Sequence, residues 1–191
     1  MTPITLSTPR LILRPWRDDD AELFAAMFAD PKVMQFLGPA PKDRAAIDAG
    51  IQRTKAHFAA HGFGWWAVEV PGVAPFIGFI GLAVPRFEAP FMPAVEVGWR
   101  LARAHWGKGY ATEGARAALE FGFTQLGLEE IVAFTVPANA RSLRVMERLG
   151  MTHAPAEDFD HPRLAEGHPL RRHVLYRLGR ARWRELHGRP C

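Results

Sequence analysis

A chain of 191 residues that is 48% hydrophobic and 23% charged is long enough to bury a sizeable core. Its composition excludes the disordered, collagen-like and membrane-spanning classes. The formal charge of +4 is carried by arginines spread along the chain, which argues against a dedicated nucleic-acid stripe.

The elements follow in chain order. Leu11 to Arg14, between Pro9 and Pro15, reads as a first strand. Asp18-Asp19-Asp20 offers an N-cap and an acidic first turn for a helix over Ala21 to Phe28, closed by Asp30-Pro31. A short segment, Val33 to Leu37, ends at Gly38-Pro39, and Asp43 to His61 reads as a second helix stopped at Gly62. Trp65 to Val70 and Phe76 to Val84 flank the turn signal Pro71-Gly72 and predict a hairpin. Ala94 to Leu101 alternates, with Val95, Val97, Trp99 and Leu101 on one face and Glu96, Gly98 and Arg100 on the other.

A helix over Thr112 to Leu126 follows, with Ala115, Leu119, Phe123 and Leu126 spaced for one buried face. Ile131 to Val136 is a β-branched run ended by Pro137. Asn139 caps a helix carrying Leu143, Val145, Met146 and Leu149, with Gly150 at the C′ position. After a polar loop from Ala154 to Pro169, His173 to Leu178 reads as a last strand. Arg171 to Arg189 is the densest basic stretch and reads as a solvated end. This order predicts a mixed α/β (α+β) fold without internal repeats, in one domain over residues 1–191. Its core covers about 8–178 and its basic tail 179–191.

The one cysteine, Cys191, leaves no internal disulfide and is a poor nucleophile on a chain end. No Cys/His spacing suggests a metal site. No signal peptide is apparent, and the most apolar stretch, Val73 to Val84, is broken by Pro75, Gly78 and Gly81 and is too short to span a bilayer. A cytoplasmic location is the expectation.

The chemistry concentrates in Trp106-Gly107-Lys108-Gly109-Tyr110-Ala111-Thr112-Glu113. A Gly-x-Gly turn between a strand and a helix frees backbone N–H groups to converge, and the helix adds its positive end, an arrangement that binds phosphate or pyrophosphate. The same glycines also serve a plain tight turn. A nucleotide P-loop is disfavoured, because no Gly-Lys-Ser/Thr closes the turn. A second motif, Asn139-Ala140-Arg141-Ser142, follows about thirty residues on and ends in Leu149-Gly150-Met151.

With these motifs, Thr8-Pro9-Arg10-Leu11-Ile12-Leu13-Arg14-Pro15-Trp16, Asp30-Pro31-Lys32-Val33-Met34 and Glu96-Val97-Gly98-Trp99, the chain resembles the Gcn5-related N-acetyltransferases (GNAT), in the branch of the ribosomal-protein acetyltransferases RimJ and RimL. The resemblance implies a mixed, mostly antiparallel central sheet flanked by helices, with two splayed strands holding the cofactor. It implies acetyl-CoA and direct attack by an amine in a ternary complex. The acceptor is then a protein N-terminal α-amine or a small-molecule amine, and the protein a monomer or homodimer. The alternative of another class is a non-catalytic acyl-CoA-binding or ribosome-associated module.

Residue by residue, the family's pyrophosphate loop (Arg or Gln, two residues, Gly, one residue, Gly or Ala) places its small positions on Gly107 and Gly109. Its first position falls on Ala104, beside Arg103. Backbone groups from Trp106 through Lys108, Tyr110 and Ala111 to Thr112 form the implied anion nest, and Lys108 or Arg103 adds charge. The resemblance makes Glu96 a general base, although a solvated glutamate or a pair with Arg100 also fits the sequence. Backbone N–H at Val97 or Gly98 polarises the thioester carbonyl. Asn139 holds the cofactor arm or the amine, or only caps its helix. Ser142 protonates the leaving thiolate. Tyr176 is a general acid or a core aromatic. His153, His161, His168 and His173 titrate near neutrality; His161 belongs to the acceptor side or the surface, and Trp16, Trp65, Trp66 and Phe159 are candidate walls of the acceptor site or core.

Overall fold

A computed structural model describes residues 4–38, 41 and 43–188. Pro39, Arg189 and Cys191 lie outside the described residues. The chain divides into two compact units, Met1–Ala83 with Gly98–Ala118, and Val84–Val97 with Leu119–Cys191.

The first unit begins with strands β1 (Leu6–Ser7) and β2 (Ile12–Arg14), then helices α1 (Asp20–Ala29), α2 (Pro31–Met34) and α3 (Arg44–His61). Strands β3 (Trp65–Val70) and β4 (Ala74–Ala83) make the expected hairpin. Strand β5 (Glu96–Leu101) contributes its C-terminal part, and a 3₁₀ turn (Arg103–His105) leads to helix α4 (Tyr110–Thr124), which belongs to this unit as far as Ala118. The strand order is β1-β2-β3-β4-β5. Local signals start and stop α3: the Asp43 side chain accepts from Ala46 N–H at 2.8 Å, and Gly62 N–H donates to the Phe58 carbonyl at 2.8 Å.

The core of this unit gathers Trp16, Phe24, Met27, Ile47, Ile51 and Phe76, with Trp16 and Phe24 meeting edge-to-face at 5.1 Å. Trp16 is 7% exposed and donates its indole N–H to the Trp65 carbonyl at 2.6 Å. Trp66 is fully buried and donates to the Ile4 carbonyl at 2.8 Å. Both are core residues, so neither walls an acceptor site.

Arg14 is also buried. Its guanidinium meets both Asp20 oxygens at 2.9 and 2.7 Å, Glu69 at 3.0 Å and the Pro75 carbonyl at 2.6 Å. One side chain thereby ties β2 to α1, β3 and the start of β4. Burial alone would lower its pKa, but hydrogen bonds and charge from Asp20 and Glu69 outweigh burial and raise it. Asp20 is spent on this pair and on Arg17 N–H at 2.7 Å. The triple-aspartate signal therefore starts α1 without a side-chain cap from Asp19.

The second unit holds the start of β5, β6 (Glu130–Thr135), α5 (Ala140–Arg148), β7 (Thr152–His153), β8 (Phe159–Asp160), β9 (Arg172–Gly179) and α6 (Arg180–His187), in the order β5-β6-β9-β7 with β8 also on β9. The β5–β6 pair is parallel and sets Glu96 opposite Val132. Pairs β6–β9, β7–β9 and β8–β9 are antiparallel, as are β1–β2, β2–β3 and β3–β4. The fold is the expected mixed, mostly antiparallel one with helices.

The basic C-terminal stretch is regular structure, and its last part is solvated as expected: of residues 181–188 Trp183 alone is buried. Residues 172–187 form β9 and α6. Trp183 is 6% exposed and packs on Phe123 at 5.6 Å, while Arg182 donates to the Gly150 carbonyl at 2.6 Å and Arg180 pairs with Glu129. The arginines are anchors there, and one tryptophan supplies the apolar contact. No helix among the described residues is long and apolar enough to cross a membrane.

Candidate active site

The loop ahead of α4 has the geometry of an anion nest. Gly107 and Gly109 take φ of +74° and +83°, a region that other residues enter only with strain. Among the described residues, no hydrogen bond uses a backbone N–H from Gly107 to Thr112 as donor, and α4 begins at Tyr110. Six successive donors and a helix head thus stand available for phosphate oxygens, which suits a pyrophosphate. The Trp106 indole donates to the Leu101 carbonyl at 2.7 Å and fixes the turn to the end of β5. Arg103, expected at the cofactor, lines a cavity of about 450 Å³ with Leu23, Met27, Phe76 and His105. Burial and then the Lys108 charge lower the His105 pKa.

Arg10, Thr8 and Glu113 come together beside the loop. In the structure the Glu113 carboxylate accepts from Thr8 Oγ1 at 2.6 Å, Arg10 N–H at 2.9 Å and Arg10 Nε at 2.7 Å, while Arg10 Nη1 donates to the Lys108 carbonyl at 3.0 Å. Burial raises the Glu113 pKa, but bonds from Thr8 and Arg10 lower it further, so the group stays ionised. These residues stand in the quoted motifs, yet no local pattern pairs positions 103 apart.

In the second unit, the parallel and antiparallel registers sort the remaining candidates by face. Glu96 sits opposite Val132, Val132 opposite Arg177, and Phe134 opposite Leu175. Directly paired residues share a face, so Glu96 lies on the face of Val132, Phe134 and Leu175. Tyr176 sits opposite Ala133, on the other face. It is 8% exposed and stacks on His153 at 5.0 Å, which in turn meets Asp158 at 2.7 Å. Burial, then the charges of Glu147 and Asp158, raise its pKa.

Asn139 caps α5: its Oδ1 accepts from Ser142 N–H at 3.3 Å, while Nδ2 donates to Thr135 Oγ1 at 3.0 Å and Ser142 Oγ at 3.1 Å. The structure therefore brings Asn139 and Ser142 into one hydrogen-bonded group with Thr135, at the end of β6. Both amide hydrogens of Asn139 are used within the protein.

On the Glu96 face, Val132, Phe159 and Leu175 form a buried cluster with half-buried Phe87, Phe91 and Phe134. His161 and His173 pack against it, 5.1 Å apart. Burial lowers both histidine pKa values, with a further push on His161 from His173 and Arg163. A base with a depressed folded pKa takes up protons on unfolding. Its stabilising neutral form is complete above the ordinary value of 6.5 and becomes a liability as pH falls below it. Thermal melts should therefore show a lower Tm at acid pH than at pH above 7, and His173→Phe should flatten that slope; equal slopes would contradict the assignment.

The family model of the acetyltransferase (GNAT) domain matches residues 10–152. This chain belongs to the GNAT acetyltransferase family. The family match runs through the anion loop and the Asn139–Ser142 motif. Its relatives include a Bacillus subtilis protein named N-acetyltransferase YnaD and otherwise uncharacterized, 45% identical over 146 residues, or 76% of this chain and 81% of that one. An Aspergillus fumigatus enzyme named FsC-acetyl coenzyme A-N(2)-transacetylase is 33% identical over 190 residues, 94% of this chain and 77% of that one. Among solved structures, an acetyltransferase from Agrobacterium tumefaciens superposes with a TM-score of 0.72 at 29% identity, over 93% of this chain and 95% of that one. A ribosomal-protein-S5-alanine acetyltransferase from Vibrio fischeri, at 17% identity and a TM-score of 0.73 over 94% of this chain and 98% of that one, shares the fold. The chain is thus an N-acetyltransferase by family.

Proposed function

We propose that this GNAT enzyme transfers the acetyl group of acetyl-CoA to a primary amine by direct attack in a ternary complex. The observation that carries the reading is the run of unspent N–H donors from Gly107 to Thr112 at the head of α4, within the stretch that matches the family. Acetyl-CoA supplies an acetyl group activated as a thioester, and this chain's residues bind it and manage protons.

The Gly107–Thr112 amides hold the pyrophosphate. Glu96 takes a proton from the acceptor ammonium, because an α-amine (pKa about 8) or a lysine (about 10) is mostly protonated at neutral pH and attacks only when neutral. Backbone N–H at Val97 or Gly98 draws charge onto the carbonyl oxygen. The Ser142 hydroxyl, oriented by Asn139, gives its proton to the leaving thiolate as the C–S bond breaks and the C–N bond forms. Tyr176, on the face opposite Glu96, is assigned to the core. The half-buried aromatic cluster on the Glu96 face is where the acceptor is expected to lie.

The acceptor is an α-amine of a protein N-terminus, which the RimJ/RimL-like motifs support, or a small amine; the name of the Aspergillus fumigatus relative supports acetyl transfer from acetyl-CoA to a nitrogen. Location in the cytoplasm belongs to the same reading. Titration calorimetry with CoA tests the carrying observation. The wild type should bind one equivalent. Gly109→Val, which places a branched side chain at φ +83° and a Cβ 3.3 Å from Arg10 Nη2, should weaken binding about tenfold or more, equivalent to roughly 1.4 kcal/mol. A folded wild type that binds no CoA would remove the reading.

A further inference from the structure

We propose that Arg10 is a positioning residue for the anion loop: it holds the loop by the Lys108 carbonyl and cancels the negative charge that Glu113 brings to the head of α4. The inference rests on the acetyl-CoA reading above.

Three observations carry it. First, the guanidinium touches the loop along its length. It donates to the Lys108 carbonyl at 3.0 Å, lies 4.9 Å from the Tyr110 ring centroid, and would stand 3.3 Å from a Cβ at Gly109. A planar fork bound on several edges fixes a loop in a way one flexible ammonium does not.

Second, Glu113 sits in the first turn of α4. A carboxylate there competes with a phosphate for the positive end of the helix. Both of its oxygens are turned to other donors, Oε1 to Thr8 Oγ1 and Arg10 N–H, Oε2 to Arg10 Nε and Nη2. The loop amides stay unspent, and the carboxylate's charge is balanced beside them.

Third, Ala104, Gly107 and Gly109 bring no side-chain donor of their own to the loop. Arg10 brings a guanidinium to the loop from the segment between β1 and β2. The Arg10 side chain is 49% exposed and that of Glu113 16%, and exposed pairs of this kind contribute little to stability. A purpose in shaping the nest accounts for four polar contacts from so open a residue.

The test compares CoA with pantetheine, which has the arm and lacks the phosphates, by titration against wild type, Arg10→Ala, Arg10→Lys and Arg10→Ala/Glu113→Gln. Arg10→Ala should bind CoA about tenfold more weakly, a factor equivalent to roughly 1.4 kcal/mol, with pantetheine affinity and Tm little changed. Arg10→Lys should recover part of the loss. The double variant should recover more than the single one, because the uncompensated carboxylate is gone. Unchanged CoA affinity in Arg10→Ala, or an equal loss for pantetheine, would overturn the proposal while leaving the acetyl-CoA reading in place. A wild type that binds no CoA would overturn the reading, and the inference with it.

Discussion

Glu96→Gln is expected to lower kcat by roughly 10²- to 10⁴-fold, the range that a positioned general base contributes, while CoA affinity and Tm stay near wild type. Glu96 sits on β5 opposite Val132, next to Val95, whose carbonyl accepts from Val132 N–H at 2.9 Å, so its backbone is held by the sheet. Glutamine keeps the size of glutamate but carries no charge, cannot take a proton, and donates from the NH2 where the carboxylate accepts. The activity left in the variant should rise with pH as more of the acceptor becomes neutral without help. Stopped-flow or steady-state thiol release, run from pH 6 to 9 with both proteins, reads this directly. A kcat within about twofold of wild type, against the 10²-fold minimum for a positioned base, would remove Glu96 as the base. An equal fall in CoA affinity would mark it as a binding residue instead.

Arg14→Ala should cost about 3–5 kcal/mol of stability, as expected when one partner of a buried ion pair is removed. Arg14 and Asp20 are 3% and 2% exposed, so alanine leaves the buried Asp20 carboxylate with the Arg17 N–H but no guanidinium, and the Pro75 carbonyl without its donor at 2.6 Å. At this chain length each kcal/mol moves Tm by roughly 2–4 °C, so a fall of about 10 °C is expected. Arg14→Lys should recover less than half, because an ammonium cannot meet Asp20, Glu69 and Pro75 from one plane. Calorimetric melts of the two variants decide this. A loss below about 1 kcal/mol for Arg14→Ala, the level of an exposed pair, would mean that the site rehydrates freely and that the network is not what joins β2, α1 and β3.

Signals that act within a few residues were legible before the structure. Asp43 and Gly62 bracket α3, Pro71-Gly72 turns the hairpin, and Asn139 caps α5, each because one side chain or one free φ settles a local hydrogen bond. The anion loop was legible for the same reason, since two glycines and a following helix are contiguous. Two-residue strands such as β1, β7 and β8 have no room for a period and left no pattern.

Pairings at long range were not legible either. Arg10 and Glu113 both stand in motifs that were read, but nothing local joins them. The opposite faces of Glu96 and Tyr176 follow only from the registers across β6, and sequence leaves those registers open. The C-terminal arginines masked Trp183: a run of charge reads as solvated unless the acceptors that hold it, here Glu129 and the Gly150 carbonyl, are in view. Tryptophans read as candidate walls proved to be core where an indole N–H found a carbonyl inside, as in Trp16 and Trp66.

The most direct measurement is release of free thiol from acetyl-CoA across a panel of amines, with mass spectrometry of the products. The panel holds peptides beginning with Ser, Ala, Thr and Asp, free amino acids, polyamines and aminoglycosides. The account predicts thiol release that requires an amine and yields that amine acetylated on nitrogen, with no acetyl group left on the protein. A folded protein that binds CoA yet releases no thiol with any amine would contradict it and favour an acyl-CoA-binding module.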